Sequence, residues 1–312
     1  MFYLQIKIVP ALPNTLSSLR SVILHLRFPF SWFLLPVWLA TVCISPNFSG
    51  ERLGLTFLIL HFLLYPASNG FNSYFDRDSG PIGGLRNPPP VNKGLYYTAL
   101  ILDLLAVLLA WKISVLFAVM ILGYSLASRA YSHPAIRVKR LPVTGLLYTS
   151  FFQGLYTVAM IYAGLNDFPL SSLLQEKVIF AGVGCSLLLL AVYPLTQVYQ
   201  HEEDERRGDR TFSLMIGVKG TFLFSAIVFL AACALWLWYI SRWIIPVPPS
   251  DFVVYLSPAL VYFLWWYYRV RNNSSAADWS SLTILNLLSS TGLNIFFFKA
   301  FLTVSNVAQV FG

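Results

Sequence analysis

The sequence predicts an all-α protein that crosses a lipid bilayer many times, and composition, hydropathy pattern and charge placement all favour this fold class. Hydrophobic residues make up 57% of the 312 residues and charged residues only 11%, whereas soluble domains carry about 25% charged residues. Apolar stretches of roughly 20 residues, long enough to cross a bilayer core about 30 Å thick, recur along the chain. These observations exclude a soluble globular fold.

Nine apolar segments, each bounded by charges, proline or glycine, are the predicted transmembrane helices of a single domain, residues 1–312. They cover residues 28–48, 54–75, 94–111, 113–130, 143–164, 178–198, 220–240, 252–268 and 280–302. The third and fourth segments meet at Trp111 and Lys112, where the apolar run is interrupted only briefly. An odd number of crossings places the two ends of the chain on opposite sides of the membrane.

The distribution of lysine and arginine predicts the orientation. With the N-terminus in the cytoplasm, sixteen of the 21 basic residues, Lys7 among them, fall in cytoplasmic segments. The other five are Arg52, Lys112, Lys177, Arg242 and Lys299. This bias follows the positive-inside rule and indicates a multi-pass protein of the cell inner (plasma) membrane. The net charge of +8 is then explained by topology and attraction to anionic membrane lipids, not by nucleic-acid binding.

Two cytoplasmic loops, residues 72–93 and 200–219, share a polar pattern. Asn72-x-x-x-Asp76-x-x-x-Gly80 is matched 128 residues later by Gln200-x-x-x-Asp204-x-x-x-Gly208. Each pattern follows an even-numbered segment, the second or the sixth. We therefore predict two pseudo-repeated halves of four helices, about residues 20–140 and 141–271, with the ninth helix, 280–302, added at the end.

The spacing of this pattern favours a metal site. Positions i and i+4 share one face of a helix, so each loop presents a carboxamide and a carboxylate together. Two such faces could share Mg²⁺, which prefers oxygen ligands and is often completed by substrate phosphates.

Basic residues border the same loops and could hold a diphosphate. They are Arg77, Arg86, Arg137, Lys139, Arg140, Arg206, Arg207 and Arg210. The alternative interpretation is that these cations only set the topology and that the loop acids are their solvated counter-ions.

Asp103 lies inside the third segment, where a charge must pair or face a cavity.

The two loops resemble the Asp-rich motifs of the UbiA superfamily of intramembrane prenyltransferases, N-x-x-x-D-x-x-x-D and D-x-x-x-D. Here they read NGFNSYFDRDSG and QVYQHEEDERRGDRT. The segment from Tyr131 to Arg140, YSHPAIRVKR, is similar to the family's YS-x-P-x-x-R-x-K-R loop after the fourth helix. Gly208-x-x-Thr211 also matches the end of the second motif, so the likeness spans most of the chain.

The resemblance implies nine helices and a site for Mg²⁺ and the diphosphate of an isoprenyl donor. Asp76 and Asp204 are the expected catalytic residues. The expected metal ligands are Asn72, Asp76, Asp78, Gln200, Glu203 and Asp204. The expected diphosphate-binding residues are Asn72, Arg77, Arg137, Lys139, Arg140 and Arg207.

The motifs depart from the family pattern at two positions, since Gly80 and Gln200 stand where the family usually has Asp. Menaquinone-pathway members also tend to have glycine at the Gly80 position. Asp78 and Glu203 could supply replacement oxygens. The proline-rich run from Gly80 to Pro90 cannot be regular helix and is interpreted as a cap or lid loop.

The sequence thus predicts Mg²⁺-assisted transfer of an isoprenyl group from a polyprenyl diphosphate to a lipophilic, membrane-accessible acceptor. Among superfamily members, the aromatic prenyltransferases of menaquinone and ubiquinone synthesis are nearest in style, which suggests an aromatic quinone precursor. Other acceptors stay open: a glycerol-phosphate lipid, a porphyrin-type ring or a phosphoribosyl group. A second hypothesis is a non-catalytic isoprenoid- or lipid-binding protein, or a transporter, with the same fold.

Overall fold

The computed structural model describes residues 14–47 and 49–305, and within them the chain is built from α-helices. Ile82 and Leu85 form an isolated β-bridge in this part of the chain, which contains no longer strand. Lys7, the ends of the predicted 1–312 domain and residue 48 of the first predicted segment lie outside the described residues.

The helices follow one another with short connections. They are α1 Asn14–Leu26, α2 Leu35–Ile44, α3 Gly50–Leu58, α4 Tyr65–Asp76, α5 Lys93–Ile113, α6 Val115–Ser132, α7 Pro142–Phe151, α8 Thr157–Asn166, α9 Glu176–Val192, α10 His201–Arg207, α11 Phe212–Trp243, α12 Pro249–Asn272 and α13 Trp279–Ser305. The π-helical turns Ile59–Leu64 and Phe152–Tyr156 join α3 to α4 and α7 to α8, so each pair forms one long helical stretch.

The prediction of a polytopic all-α fold is confirmed. Six helical stretches are long and apolar enough to cross a membrane. A seventh candidate is the bent pair 17–33 and 35–44, whose two parts meet at 44°. The fifth and eighth predicted segments also form long helices, α7–α8 and α12, but neither passes the same hydropathy criterion. A count of nine crossings therefore stays a prediction.

The first predicted segment is not the single helix that its apolar run suggested. Arg27 adopts a left-handed conformation with φ of 50°, and the 3₁₀ helix Phe28–Phe33 separates α1 from α2. Because Pro29 and Pro36 cannot donate the backbone hydrogen bonds of a continuous α-helix, the chain bends in this region.

The helix boundaries have local causes. The side chain of Asn92 caps α5 by accepting from the Leu95 N–H at 3.3 Å, and Ser114 caps α6 by accepting from the Phe117 N–H at 3.1 Å. Helix α4 ends at Asp76 because Arg77 adopts a left-handed conformation, with φ of 51°. This turn leaves Asp76 at the end of a helical stretch, Gly50–Asp76, that is long and apolar enough to cross a membrane.

Asp103 and Arg129 form an ion pair between α5 and α6. The Arg129 guanidinium also lies 5.0 Å from the ring centroid of Phe71 on α4. The charge at Asp103 is therefore compensated by a partner, as expected for an intramembrane acid, and Asp103 does not belong to the wall of the cavity described below.

Glycine allows α12 and α13 to pack closely. A Cβ atom added to Gly292 would lie 2.2 Å from the backbone oxygen of Tyr255. We expect Gly292→Leu to push the two helices apart and cost about 1–3 kcal/mol of stability through overpacking. A thermal melt of the detergent-purified protein measures this loss. Gly54→Leu is the matched control, because a Cβ at Gly54 meets no atom within 4 Å, and equal melting temperatures for the two variants would contradict the packing.

Candidate active site

The two polar loops converge on one cavity, although their aspartates are 128 residues apart in the sequence. The cavity has a volume of about 360 Å³. Its wall at the loop end contains most of the residues that the sequence singled out. They are Asn72, Asp76, Asp78, Lys139, Gln200, Glu203, Asp204 and Arg207.

Three of the predicted diphosphate-binding arginines do not line the cavity. Arg77 and Arg140 are exposed at the surface, and the structure does not bring them into the wall. Arg77 points toward the ring of Tyr74, with 6.0 Å between its guanidinium carbon and the ring centroid. Arg137 stands behind the wall, where its Nη1 lies 3.6 Å from the Asp76 carboxylate.

The first motif places a buried carboxylate at the end of α4. The side chain of Asp76 is only 6% exposed and forms an ion pair with Lys139. One turn earlier, Asn72 lines the cavity and its Nδ2 donates to the Ser132 hydroxyl at 3.0 Å, which leaves the amide oxygen available to a ligand. The i and i+4 arrangement of Asn72 and Asp76 therefore presents two oxygen ligands to the same space.

The second motif lies on the short helix α10. Glu203 accepts a hydrogen bond from the backbone N–H of Ser79 at 3.2 Å, which ties it to the first motif loop. Gln200 donates from Nε2 to the Pro81 carbonyl at 3.3 Å. Asp204 accepts from the Thr211 hydroxyl at 3.1 Å. Burial raises the pKa of the Asp204 carboxyl to about 6, because the charged form loses its water.

The departure at Gly80 has a structural counterpart in the second motif. A Cβ at Gly80 would lie 3.0 Å from Glu203 Oε2, so a side chain at this position would compete with the Glu203 carboxylate for space. Asp78 lies two residues before Gly80 and also lines the cavity. The structure thus brings both predicted replacement carboxylates, Asp78 and Glu203, to the place where the first motif lacks its last aspartate.

Arginines connect the two motif loops. Arg207 contacts Asp78 Oδ1 at 2.7 Å and Glu203 Oε1 at 2.5 Å. Arg137 forms a bidentate pair with Asp209, with N–O distances of 2.9 and 2.7 Å. This pairing raises the pKa of Arg137, and burial together with the nearby Asp76 raises the pKa of Asp78. Arg207 and Arg137 thus compensate the charges of Asp78, Glu203 and Asp209.

Arg27 is a cavity residue that sequence reasoning counted only as a topological charge. Its guanidinium donates to the backbone oxygens of Gly83 at 3.1 Å and Asn69 at 3.3 Å, and its Nε has no hydrogen-bond partner. Within the described ranges, Arg27 has no carboxylate at salt-bridge distance. No local pattern distinguishes Arg27 from a topological charge, because its partners Gly83 and Asn69 lie far from it in the sequence.

The proline-rich loop after the first motif covers part of the cavity, where Ile82, Gly83 and Gly84 belong to the wall. The Ile82 backbone exchanges two hydrogen bonds of 2.9 Å with Leu85, and its oxygen accepts from Trp279 Nε1 at 2.8 Å. The carbonyls of the proline run contact α1, with His25 Nε2 2.7 Å from the Pro89 oxygen. The loop is therefore fixed at both ends over the cavity, which fits the predicted cap.

The donor set fits Mg²⁺ by its chemistry, since four carboxylates and two carboxamides, all oxygen ligands, line one space. The described residues contain no ready-made group of three or more His, Cys, Asp or Glu side chains that could hold a metal. The ion pairs explain this, because Lys139 and Arg207 hold the carboxylates of Asp76, Asp78 and Glu203.

Below the loops the cavity continues among apolar and aromatic side chains. They include Tyr124, Tyr148, Phe152, Cys185, Leu189, Phe229, Leu256 and Phe297. One end of the space is therefore charged and the other is hydrophobic. This division fits an amphipathic ligand with a charged head and a hydrocarbon tail.

Fold and site thus define a helical membrane protein with a polar pocket above an apolar chamber. The model of the UbiA prenyltransferase family matches residues 33–290, and the chain belongs to this family. It is an integral membrane protein, as its apolar helices and its family indicate.

Solved structures show the same fold. A UbiA homologue from Archaeoglobus fulgidus bound to DMAPP and Mg²⁺ matches with a TM-score of 0.60 and 19% identity, over 91% of this chain and 99% of that one. The same homologue bound to GPP and Mg²⁺ matches with a TM-score of 0.60 and 19% identity, over 90% of this chain and 99% of that one. A structure of digeranylgeranylglyceryl phosphate synthase matches with a TM-score of 0.58 and 13% identity, over 90% of this chain and 99% of that one. No curated protein matches the chain.

Proposed function

We propose that this protein transfers an isoprenyl group from a polyprenyl diphosphate to a lipophilic, membrane-accessible aromatic acceptor. The observation that carries the proposal is the meeting of Asp76 and Asp204 in one cavity whose other end is hydrophobic. The chamber would take the prenyl tail and the polar end its diphosphate. Structures of a family relative with DMAPP or GPP and Mg²⁺ support this choice of donor and cofactor.

Six residues would hold Mg²⁺: Asn72, Asp76, Asp78, Gln200, Glu203 and Asp204. When bound, Mg²⁺ stabilises the negative charge that develops on the departing diphosphate. Lys139 and Arg207 line the same space and would exchange their carboxylate partners for phosphate oxygens. Arg27 adds a cation that, among the described residues, has no carboxylate partner and so would bind phosphate without breaking an ion pair.

The three arginines outside the cavity wall would have different roles. Arg137 is a positioning residue, because it contacts the carboxylates of Asp76 and Asp209 from behind the cavity wall. Arg77 and Arg140 face the aqueous side and would attract anionic donor and lipid headgroups over a distance. The positive-inside bias supports a cytoplasmic location for this face, in the inner (plasma) membrane.

The reaction breaks the bond between C1 of the prenyl chain and the diphosphate oxygen, and both electrons leave with the diphosphate. A π-electron pair of the acceptor ring then forms the new bond to C1, and the ring carbon loses its proton to the released diphosphate. Tyr148 and Phe152 line the chamber, and their rings would stabilise the allylic cation. The helices around the chamber exclude the water that would otherwise capture it.

Incubation of membranes that contain the protein with radiolabelled geranylgeranyl diphosphate and Mg²⁺ tests the proposal. We expect label to move into a lipid-extractable product, and EDTA to prevent the transfer. Membranes that contain Asp204→Ala protein at the same level are the control. Equal labelling with wild-type and variant protein would show that the assigned site does not perform the reaction.

The same assay separates the enzyme from the non-catalytic alternative. The observation that favours a binding protein is the loss of one carboxylate from each motif, at Gly80 and Gln200. A binding protein would retain labelled donor without releasing diphosphate. Release of inorganic diphosphate in step with product formation identifies the transferase.

A further inference from the structure

The chamber below the motif loops contains polar side chains that the proposed donor does not use. Tyr124, Gln153 and Asn286 all line the cavity. No side-chain hydrogen bond to any of the three is present within the part of the chain that the structure describes. Some other polar groups of this wall have partners: Ser68 and Ser128 bond each other at 2.6 Å, and Tyr148 donates to the Ala127 oxygen at 3.0 Å.

The three side chains lie at a similar depth. Gln153 is eleven residues past the start of α7, Asn286 seven past the start of α13, and Tyr124 eight before the end of α6. All three helix ends are on the side of the motif loops. With a rise of about 1.5 Å per residue, the side chains lie roughly 10–16 Å below that end of the bundle. They therefore share one stretch of the chamber below the charged groups, here called the polar level, which the hydroxyls of Ser68 and Thr149 also line.

The backbone that presents Gln153 is specifically stabilised. Gln153 belongs to the π-helical turn Phe152–Tyr156, a feature that is frequent at functional sites. Ser186 accepts from the Leu155 N–H at 2.9 Å, and Thr157 donates to the Phe152 oxygen at 2.6 Å, so both supply partners for the distorted backbone. A Cβ at Gly154 would lie 2.5 Å from Ser186 Cα, so glycine is needed for this contact.

A prenyl tail is a poor partner for this level. A hydrocarbon chain packed against two carboxamides and a phenol would remove their water without replacing the hydrogen bonds, which is costly. A ring with oxygen substituents would satisfy the same groups, because a carboxamide both donates and accepts. The polar level therefore fits the acceptor and not the donor tail.

The charges of the cavity wall restrict the acceptor further. Five carboxylates and three cations line the described part of the wall, and all eight lie at the motif end. Lys139 and Arg207 already pair with carboxylates and would be needed by the diphosphate. The level of Gln153 has no cation, so an acceptor carboxylate or phosphate placed there would stay unpaired in an apolar surrounding.

We infer that the acceptor is an uncharged phenol or quinol, whose oxygens are bound by Gln153, Tyr124 and Asn286. This inference rests on the proposed prenyl transfer and specifies its second substrate. Its ring would lie below C1 of the donor, with the reacting carbon turned toward the diphosphate and the oxygens toward the polar level.

Matched acceptor pairs test the inference with the purified full-length protein in nanodiscs, geranylgeranyl diphosphate and Mg²⁺. The probes are 1,4-dihydroxynaphthalene against 1,4-dihydroxy-2-naphthoate, and 4-hydroxybenzyl alcohol against 4-hydroxybenzoate. We expect kcat/KM to be at least about tenfold higher for the neutral member of each pair that reacts. A preference for the carboxylates overturns the inference but leaves prenyl transfer standing, whereas no transfer to any of the four overturns both.

Two variants locate the acceptor. Gln153→Leu is expected to raise the acceptor KM about tenfold and leave the donor KM unchanged, which also shows that the variant is folded. Gln153→Lys is expected to shift the preference toward the carboxylate member of the naphthalene pair. A change in the donor KM with an unchanged acceptor KM, in either variant, would place the prenyl tail at this level and overturn the assignment.

Discussion

Asp76→Asn is expected to lower the rate of prenyl transfer by about 100-fold or more, while the protein still folds. The substitution keeps the size of the side chain but removes a carboxylate that is 6% exposed and faces the cavity. A proposed metal ligand and the ion-pair partner of Lys139 are lost together. Removing one group that stabilises developing charge typically costs about 100- to 1,000-fold in rate. Asp204→Asn is expected to have an effect of the same order.

A matched control for these variants lies on the same short helix as Asp204. The side chain of Glu202 is 90% exposed and, among the residues that the structure describes, forms an ion pair only with Arg206. Glu202→Gln should therefore transfer prenyl groups at the wild-type rate. The measurement is the initial rate of labelled product formation at saturating donor and Mg²⁺. If Glu202→Gln and Asp204→Asn lowered the rate equally, general loop electrostatics and not a metal site would account for the effect.

Arg27→Gln is expected to raise the donor KM by about 10- to 100-fold. Arg27 lines the cavity, and its guanidinium has no carboxylate partner in the described structure, so it can offer its charge to a diphosphate without breaking an ion pair. Hydrogen bonds to charged groups contribute about 1.5–3 kcal/mol each. The donor KM, measured at a fixed acceptor concentration, is the appropriate readout.

Arg27 also holds the cap loop through the Gly83 oxygen, so its structural role must be separated from its charge. Arg27→Lys keeps the charge and should recover part of the donor affinity. Arg20→Gln, at an exposed position of the same helix α1, should leave the donor KM unchanged. An unchanged donor KM in Arg27→Gln would show that the diphosphate does not reach this side of the cavity.

Much of the helical architecture could be predicted because the length of an apolar run is set by the bilayer. The predicted segments 94–111 and 280–302 lie inside α5 and α13. The first segment was predicted less well, because hydropathy does not register the bend after Arg27 or the helix α1 that precedes it. The four-plus-four repeat stays a prediction, since it rests on the matched pattern around Asp76 and Asp204.

The site was predicted as far as local spacing allows. The pair Asn72 and Asp76 was predicted from the helical period, and both residues line the cavity. The contact of Arg207 with Asp78 joins residues 129 positions apart, and no local pattern encodes it. Arg27 was missed for the same reason, because its neighbours in the cavity come from distant parts of the sequence. Exposure of Arg77 depends on the left-handed turn that ends α4.

The central claim is that the two motif loops form one metal and diphosphate site. A structure of the protein with Mn²⁺ and geranyl S-thiolodiphosphate, a donor analogue that resists ionisation, tests it most directly through the anomalous signal of the metal. We expect Mn²⁺ in contact with carboxylate oxygens of both Asp76 and Asp204, with the analogue's phosphates beside Lys139 and Arg207. Metal bound to one loop alone, or phosphates outside the cavity that these residues line, would contradict it.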